Sequence, residues 1–184
     1  MSGKKMASRR EFLAGSTALA AGAAVAGALD LGTARMVHAA GSEQIKVALI
    51  GCGGRGNGAV SDCLTADDAV RVIAVADSFQ DRADNTAKRL RKDYKDRVDL
   101  PDDRVFVGLD AFEKAIAAGP DMVILTTPPG FRPYQYAAAI KAGKHVFMEK
   151  PCCVDGAGYR LLMETNKVAD EKGRKVGVGF QRRH

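Results

Sequence analysis

Residues 51–56, with the sequence GCGGRG, have the spacing of a loop that binds phosphate groups. This GxGxxG pattern is weak evidence alone because glycine-rich turns are common, but here it lies between a predicted strand and a predicted helix. In such loops the glycines permit a tight turn, let the backbone approach a pyrophosphate and let the helix pack on the strand. The amides at the helix N-terminus then face the phosphates. The candidate cofactor-binding residues of the loop are Gly51, Gly53, Gly54, Arg55 and Gly56.

Asp77 follows the second predicted strand, about twenty residues after the loop. A carboxylate at this position accepts hydrogen bonds from the ribose hydroxyls of adenosine and repels a 2′-phosphate, which favours NAD over NADP as the cofactor. Arg82 is near enough in sequence to reach a 2′-phosphate, so NADP is the less favoured alternative. Asp77 could instead cap the helix that follows the strand.

Strand and helix patterns alternate from residue 45 onward. Short β-branched runs predict buried strands at residues 45–50, 70–76, 105–108, 122–127, 145–149 and 175–180. Longer stretches predict helices at residues 54–64, 80–94, 110–118, 133–142 and 155–172. Such alternation predicts an α/β fold of the Rossmann type, a doubly wound parallel sheet with helices on both faces. We assign residues 43–180 to this dinucleotide-binding domain, with residues 95–104 as a surface loop.

The first segment, residues 1–39, has the composition of an export signal. Arg9 and Arg10 lie in a positive segment, an Ala/Gly-rich run follows, and small residues precede Ala40 as in a cleavage site. Residues 8–13 resemble the twin-arginine signal, which is read by an export machinery that carries folded proteins. We therefore predict an exported, periplasmic protein that interacts with this machinery. An ordinary secretory signal, or an uncleaved signal that tethers the protein to the membrane, is the alternative.

The charge and cysteine content argue against nucleic-acid and metal binding. Lys and Arg number 28 against 22 Asp and Glu, and outside the first forty residues the counts are 23 and 20. The remaining basic residues are interleaved with acids, so we expect no nucleic-acid partner. The four cysteines include no CxxC pair and no histidine-rich companion cluster, so we expect no metal site. Cys152 and Cys153 could form a strained vicinal disulfide, although packing as two small apolar residues is favoured.

Two further segments carry a resemblance to a known family. Residues 126–128 read TTP at the end of a predicted strand, and residues 142–151 read AGKHVFMEKP. Together with the glycine loop, they resemble the N-terminal half of the Gfo/Idh/MocA oxidoreductases, which include glucose-fructose oxidoreductase and inositol dehydrogenase. The resemblance begins at about residue 45 and implies that Thr127 and Pro128 lie beneath the nicotinamide ribose.

By the same resemblance, Lys150 is the catalytic residue in this part of the chain. In the family, the lysine of the Glu-Lys-Pro segment lies at the nicotinamide and the substrate hydroxyls. A lysine beside the cationic oxidised ring loses its proton more readily and can polarise or help deprotonate an alcohol. Glu149 is expected to orient Lys150 or to bind the nicotinamide ribose, and Pro151 is a candidate for a cis peptide bond. The alternative for Lys150 is an exposed lysine at a strand end.

Two features differ from the family pattern. The family often has a histidine four residues after the Thr-Pro proline, where this chain has Arg132. This arginine could bind an anionic group of the substrate or cofactor, or it could lie on the surface at a helix start. The second domain, an α+β domain that in the family supplies an Asp and a His and builds the oligomer interface, is expected to be essentially missing. Residues 181–184 are predicted to be its start, and the full-length protein is predicted to be a homo-oligomer.

The resemblance implies hydride transfer between a nicotinamide cofactor and a secondary alcohol of a sugar or polyol substrate, catalysed by the full-length protein and not by this chain alone. An exported NAD-dependent glycosidase of the same family is an alternative, since some relatives oxidise a sugar carbon transiently and eliminate the glycoside. If the natural chain ends at His184, a non-catalytic nucleotide- or sugar-binding protein becomes the better interpretation, because one such domain lacks a closed substrate pocket.

Overall fold

The computed structural model describes residues 44–180. The predicted export signal and residues 181–184, the predicted start of a second domain, lie outside the described residues. Within residues 44–180, no helix combines the length and the apolar character that are needed to cross a membrane. The structure therefore describes the region that the sequence predicts to bind a dinucleotide.

The core of the described region is a six-stranded sheet in which every neighbouring pair of strands is parallel. The strands are β1 (Ile45–Ile50), β2 (Val70–Asp77), β3 (Val105–Val107), β4 (Met122–Leu125), β5 (His145–Met148) and β6 (Val176–Val178). Their order is β3-β2-β1-β4-β5-β6, so the strand order reverses between β1 and β4. Ligands in such sheets bind beyond the carboxyl ends of the strands that flank this reversal.

Helices cover both faces of the sheet. They are α1 (Gly54–Ala66), α2 (Gln80–Asp93), α3 (Ala111–Ala117), α4 (Arg132–Lys141) and α5 (Gly156–Glu171). The buried side chains of α1 and α2 belong to one hydrophobic cluster, and those of α3, α4 and α5 belong to another. The predicted Rossmann-type α/β fold with a doubly wound parallel sheet is therefore confirmed.

Strand β1 shows how the sequence produces these two faces. Val47 and Leu49 pack in the cluster that contains α1 and α2, whereas Ala48 and Ile50 pack in the cluster on the opposite face. Successive side chains of a strand point to opposite faces, so a strand buried on both faces is a continuous apolar run. Burying a side chain such as Leu49 contributes about 1.5–3 kcal/mol. The glycine loop thus follows a strand that is firmly anchored in the core.

Residues 95–104 are more ordered than the predicted surface loop. They contain two short turns of 3-10 helix, Lys95–Arg97 and Asp102–Arg104, and the side chain of Leu100 between them is buried. Arg91 on α2 donates a hydrogen bond from Nε to the carbonyl oxygen of Leu100 at 2.8 Å. The charge-rich sequence of this segment hid two apolar residues, Val98 and Leu100, which pack against the same hydrophobic cluster.

Candidate functional site

The glycine loop after β1 is shaped by two positions at which a side chain does not fit. Gly51 has a φ of +101°, and a Cβ atom on it would lie 2.7 Å from the backbone nitrogen of Thr127. A Cβ atom on Gly56 would lie only 1.9 Å from the carbonyl oxygen of Gly51. The first glycine therefore makes the turn and the last lets α1 pack against it, as the motif predicts.

The middle of the loop is open where the ends are crowded. A Cβ atom on Gly53 or Gly54 would meet no other atom within 4 Å. Gly53 is the N-cap residue of α1 and has no side chain to bond the first amides of the helix. Such amides lack partners within the helix and attract anions. This open, uncapped helix start fits a pyrophosphate, because the backbone can approach the phosphates without obstruction.

Asp77 lies beside the loop at the end of β2. Its Oδ2 accepts a hydrogen bond from the backbone nitrogen of Cys52 at 2.6 Å, and its Oδ1 accepts one from the backbone nitrogen of Phe79 at 3.0 Å. Helix α2 has Phe79 as its N-cap residue, without a side-chain cap, so Asp77 is not the cap of this helix. The carboxylate is held at the edge of the loop, where the sequence predicts the adenosine ribose.

A cavity of about 480 Å³ runs along the carboxyl edge of the sheet. Asp77 and the loop line one part of it, and Thr127, Pro128 and Arg132 line another. Arg82 also borders the cavity, and its guanidinium carbon lies 4.9 Å from the centre of the Phe79 ring. Cavities of this size are typical of small-molecule and cofactor sites. Two of the predicted loop residues, Gly51 and Gly53, therefore share one pocket with Asp77 and the Thr-Pro turn.

Cys52, inside the glycine loop, is a packing residue. Its side chain is buried, and Sγ donates a weak hydrogen bond to the carbonyl oxygen of Ala76 at 3.6 Å. Burial, reinforced by the negative charge of Asp77, raises the pKa of the Cys52 thiol to about 12. A thiol that stays protonated is neither a nucleophile nor a metal ligand. Within residues 44–180, no group of three His, Cys, Asp or Glu side chains is placed to hold a metal ion.

The Thr-Pro turn after β4 is bonded directly to the loop and to α4. The hydroxyl of Thr126 donates to the carbonyl oxygen of Gly51 at 2.6 Å, and the hydroxyl of Thr127 donates to Oε1 of Gln135 at 2.5 Å. Sequence reasoning did not identify Gln135 as a site residue. Its position one turn into a predicted helix, after the Thr-Pro turn, was the available signal.

The Glu-Lys-Pro segment follows β5 at the same edge of the sheet. Lys150 is exposed, and no carboxylate among residues 44–180 forms an ion pair with its ammonium group. The peptide bond between Lys150 and Pro151 is cis, as the sequence suggested. The lysine is therefore available to a ligand, and its catalytic role stays a prediction.

Glu149 has a different partner from the two that the sequence suggested. Its carboxylate is almost fully buried, and Oε1 accepts a hydrogen bond from Nε of Arg55 at 2.7 Å. This bond raises the pKa of the Arg55 guanidinium. A Cβ atom on Gly179 would lie 2.5 Å from the same Oε1, so the chain after β6 closes over the carboxylate. The loop arginine and the Glu-Lys-Pro segment, far apart in sequence, are thus one unit.

Arg132 is buried, so its interpretation as a surface residue at a helix start is wrong. Its Nη1 donates to the carbonyl oxygen of Glu149 at 2.7 Å and also to the carbonyl oxygen of Pro151. Burial lowers the pKa of the guanidinium. The sequence hid this role because both partners are backbone carbonyls, which no residue pattern reveals.

The model of one protein family matches residues 45–180 of the chain. Its description is GFO_IDH_MocA, "Oxidoreductase family, NAD-binding Rossmann fold". The chain belongs to this family. The resemblance inferred from the glycine loop, the Thr-Pro turn and the Glu-Lys-Pro segment is confirmed, and the described region is the NAD-binding Rossmann domain of a Gfo/Idh/MocA protein.

Relatives and solved structures point to the same region of the family. Scyllo-inositol 2-dehydrogenase (NAD(+)) of Bacillus subtilis (strain 168) is 27% identical over 144 residues, which are 76% of this chain and 36% of that protein. Inositol 2-dehydrogenase of Acidothermus cellulolyticus is 32% identical over 140 residues, which are 76% of this chain and 37% of that protein. A crystal structure of scyllo-inositol dehydrogenase from Lactobacillus casei, with bound NAD(H) and scyllo-inositol, matches with a TM-score of 0.58 at 25% identity and covers 76% of this chain and 37% of that one. The chain spans a little more than a third of the length of these relatives.

Proposed function

We propose that the full-length protein is an NAD-dependent oxidoreductase that transfers a hydride between a nicotinamide cofactor and a secondary alcohol of a sugar or polyol. One observation carries the proposal. Arg132 lines the cavity beside the glycine loop and also binds the carbonyl groups on either side of the exposed Lys150. Arg132 thus connects the cavity beside the glycine loop to the segment that carries Lys150, and a dehydrogenase site needs both parts.

Each part of the edge has a role in this reaction. NAD, when bound, supplies the hydride acceptor. The open helix start of α1 binds the pyrophosphate, and Asp77 binds the ribose hydroxyls of the adenosine. Thr127 and Pro128 support the nicotinamide ribose. Lys150 polarises the substrate hydroxyl and helps to remove its proton.

The substrate class rests on the relatives. The Bacillus subtilis and Acidothermus cellulolyticus proteins are inositol dehydrogenases, and the Lactobacillus casei enzyme was crystallised with scyllo-inositol. Cyclic polyols and sugars are therefore the first substrates to try. The full-length protein is needed for this screen, because a single Rossmann domain does not enclose a substrate.

Titration of the chain from Ala40 onward with NAD and NADP, followed by calorimetry, tests the cofactor assignment. NAD is expected to bind more tightly than NADP. Asp77→Asn is expected to reduce the ratio of the NADP Kd to the NAD Kd, because the charge that repels a 2′-phosphate is removed. Asp67→Asn is the matched control, since Asp67 also accepts a hydrogen bond from the backbone two residues on, at Ala69, but lies outside the cavity. A folded chain that binds neither nucleotide would overturn the proposal.

A second candidate is an NAD-dependent glycosidase, which oxidises and then reduces the same sugar. The loop sequence with Arg55 and the predicted export signal resemble that branch of the family, whereas the Glu-Lys-Pro segment is more typical of the dehydrogenases. Incubation of the full-length protein with glycosides and with free polyols separates the two. Net NADH formation from a polyol supports the dehydrogenase, and release of the aglycone without net NADH supports the glycosidase.

We also infer that residues 1–39 direct the protein to the periplasm through the twin-arginine machinery. The paired Arg9 and Arg10, the weakly apolar run and the small residues before Ala40 support this proposal. Replacing both arginines with lysine should retain the protein in the cytoplasm, as measured by cell fractionation. Export of this variant through the general secretory route would contradict the proposal, and a mass that includes residues 1–39 in the membrane fraction would show an uncleaved tether.

We further infer that the full-length protein adds a second, α+β domain and forms a homo-oligomer. The support is the family resemblance and the length of the relatives, of which this chain spans a little more than a third. Light scattering on the full-length protein measures its mass. A monomer in solution would contradict the oligomer.

A further inference from the structure

The buried arginine at the start of α4 has an unusual pair of partners. Arg132 is 5% exposed, and both hydrogen bonds of its side chain among the described residues go to backbone carbonyls, those of Glu149 and Pro151. These two residues immediately precede and follow Lys150. One guanidinium therefore spans the main chain of the lysine that the proposed reaction uses.

The burial of this cation needs a reason, because a buried charge is costly unless its donors are satisfied. The acidic group beside it, the Glu149 carboxylate, accepts its short hydrogen bond from Arg55. Nε of Arg132 is buried and has no hydrogen-bond partner within residues 44–180. Arg132 is therefore held by its hydrogen bonds to two carbonyl oxygens and not by a direct ion pair.

The same turn of α4 also bonds to the Thr-Pro turn, which the proposed function places beneath the nicotinamide ribose. Gln135, three residues after Arg132, accepts a hydrogen bond from the hydroxyl of Thr127. The start of α4 thus bonds to the segment after β4 and to the segment after β5. A planar guanidinium suits this bridge because its donors have a rigid, fixed spacing, whereas a lysine offers only a point charge on a flexible stem.

We propose that Arg132 is a positioning residue that fixes the main chain of Lys150 and so directs its ammonium group towards the nicotinamide end of the cofactor. This inference rests on the proposed function for the place of the nicotinamide. Both carbonyls are bound by Nη1, while the side chain also lines the cavity, so the expectation that Arg132 binds an anionic group stays a separate prediction.

The test compares two ligands on the full chain. NADH carries the nicotinamide, whereas ADP has only the adenosine and pyrophosphate that the glycine loop and Asp77 bind. Calorimetric Kd values for both ligands are measured for Arg132→Met, Arg132→Lys and the control Arg97→Met, together with the Tm of each protein. Arg97 is the matched control because its Nη2 also donates to two backbone carbonyls, those of Leu64 and Asp67, at the other end of α1.

Arg132→Met is expected to weaken NADH binding about tenfold, which is about 1.4 kcal/mol, while ADP binding changes less than about twofold. Arg132→Lys is expected to recover part of the loss, because a lysine can still donate to one carbonyl. Arg97→Met is expected to lower the Tm but to leave the ratio of the two Kd values unchanged. An unchanged ratio in folded Arg132→Met, or an equal loss for both ligands, overturns the inference. If Arg132→Met does not fold, the ratio in Arg132→Lys decides in the same way.

A second readout does not depend on the cofactor. The rate of amine acylation at Lys150, measured by peptide mass spectrometry against the exposed Lys141, is expected to change by about threefold or more in Arg132→Met and to stay constant in Arg97→Met. An unaltered rate in Arg132→Met overturns the positioning role. If the unmodified chain binds neither NADH nor ADP, the proposed function fails, and the acylation rate alone then decides whether Arg132 positions Lys150.

Discussion

The glycine loop after β1 and the Glu-Lys-Pro segment after β5 lie at the same edge of the sheet but are built differently. The loop depends on the absence of side chains at its two ends: Gly51 has a positive φ, and Gly56 packs closely on the carbonyl oxygen of Gly51. The Glu-Lys-Pro segment is held by side chains from distant parts of the chain, Arg55 on α1 and Arg132 on α4. A short sequence motif can therefore describe the first region, whereas the second is complete only in the folded domain.

The two regions also differ in why a substitution would destabilise them. A substitution in the loop destabilises the domain where the new side chain would collide with backbone, and is tolerated where it would enter the open cavity. Substitutions around the Glu-Lys-Pro segment fail because they leave a buried charge or carbonyl without its partner. The following variants test this difference, from the largest expected effect to the smallest.

Lys150→Met should abolish catalysis without affecting binding at the glycine loop. In the full-length protein we expect kcat for polyol oxidation to fall by about 10²- to 10⁴-fold, because the group that assists proton transfer is lost. The Kd for ADP should change little, since the pyrophosphate and adenosine contacts are intact. The control is Lys144→Met, another lysine near β5 that is outside the proposed site. Retention of activity in Lys150→Met would assign the proton transfer to another residue.

Gly56→Ala should destabilise the domain by about 3 kcal/mol, because its Cβ atom would collide with a backbone carbonyl that cannot move easily. Gly53→Ala is the matched variant. Its backbone has a φ of −72°, which alanine adopts, and its Cβ atom would enter open space. We expect its free energy of unfolding to stay within about 0.5 kcal/mol of the original while NAD binding weakens. Urea denaturation and calorimetry measure the two effects; equal destabilisation by both variants would contradict the comparison.

Arg55→Met should cost about 2 kcal/mol of unfolding free energy, because it leaves the buried Glu149 carboxylate without its hydrogen-bond donor. The cost is below that of a fully buried pair, since the Arg55 side chain is 49% exposed and water can enter. Asp62→Asn removes the exposed partner of the same arginine and should cost less than about 0.5 kcal/mol.

The double variant Arg55→Met with Glu149→Gln sharpens this test. It should recover part of the loss, because the uncompensated charge disappears along with its partner. A double-mutant cycle from urea denaturation gives the coupling energy. A coupling energy near zero would show that the two segments are not joined energetically.

Thr126→Val should have the smallest effect, about 1 kcal/mol, because it removes one hydroxyl that donates to the carbonyl oxygen of Gly51 while keeping the shape of the side chain. Thr65→Val is the control, since the Thr65 hydroxyl donates to the carbonyl oxygen of Ser61 at an exposed place on α1. Thermal unfolding measures both. Equal Tm values for the two variants would indicate that the bond between β4 and the loop adds nothing to stability.

Much of this site could be predicted from residue patterns. The strand before the loop, the glycine spacing and Asp77 were each recognisable, because each is a residue type or a spacing that can be read directly from the chain. The burial of Arg132 could not be predicted, since an arginine at a helix start is ordinarily solvated. The pairing of Arg55 with Glu149 was equally hidden, because each residue had its own plausible role within its own motif.

The sequence by itself determined the parallel sheet, the turn at Gly51 and the close packing at Gly56, because apolar runs and glycine positions can be read from the chain and allow few alternatives. Only the tertiary structure decided which groups surround Lys150. Arg55, Arg132 and Gly179 reach the Glu-Lys-Pro segment from three separate elements. Hydrogen bonds to backbone carbonyls and contacts with a buried carboxylate form only after those elements have packed, so they leave no pattern in the chain itself.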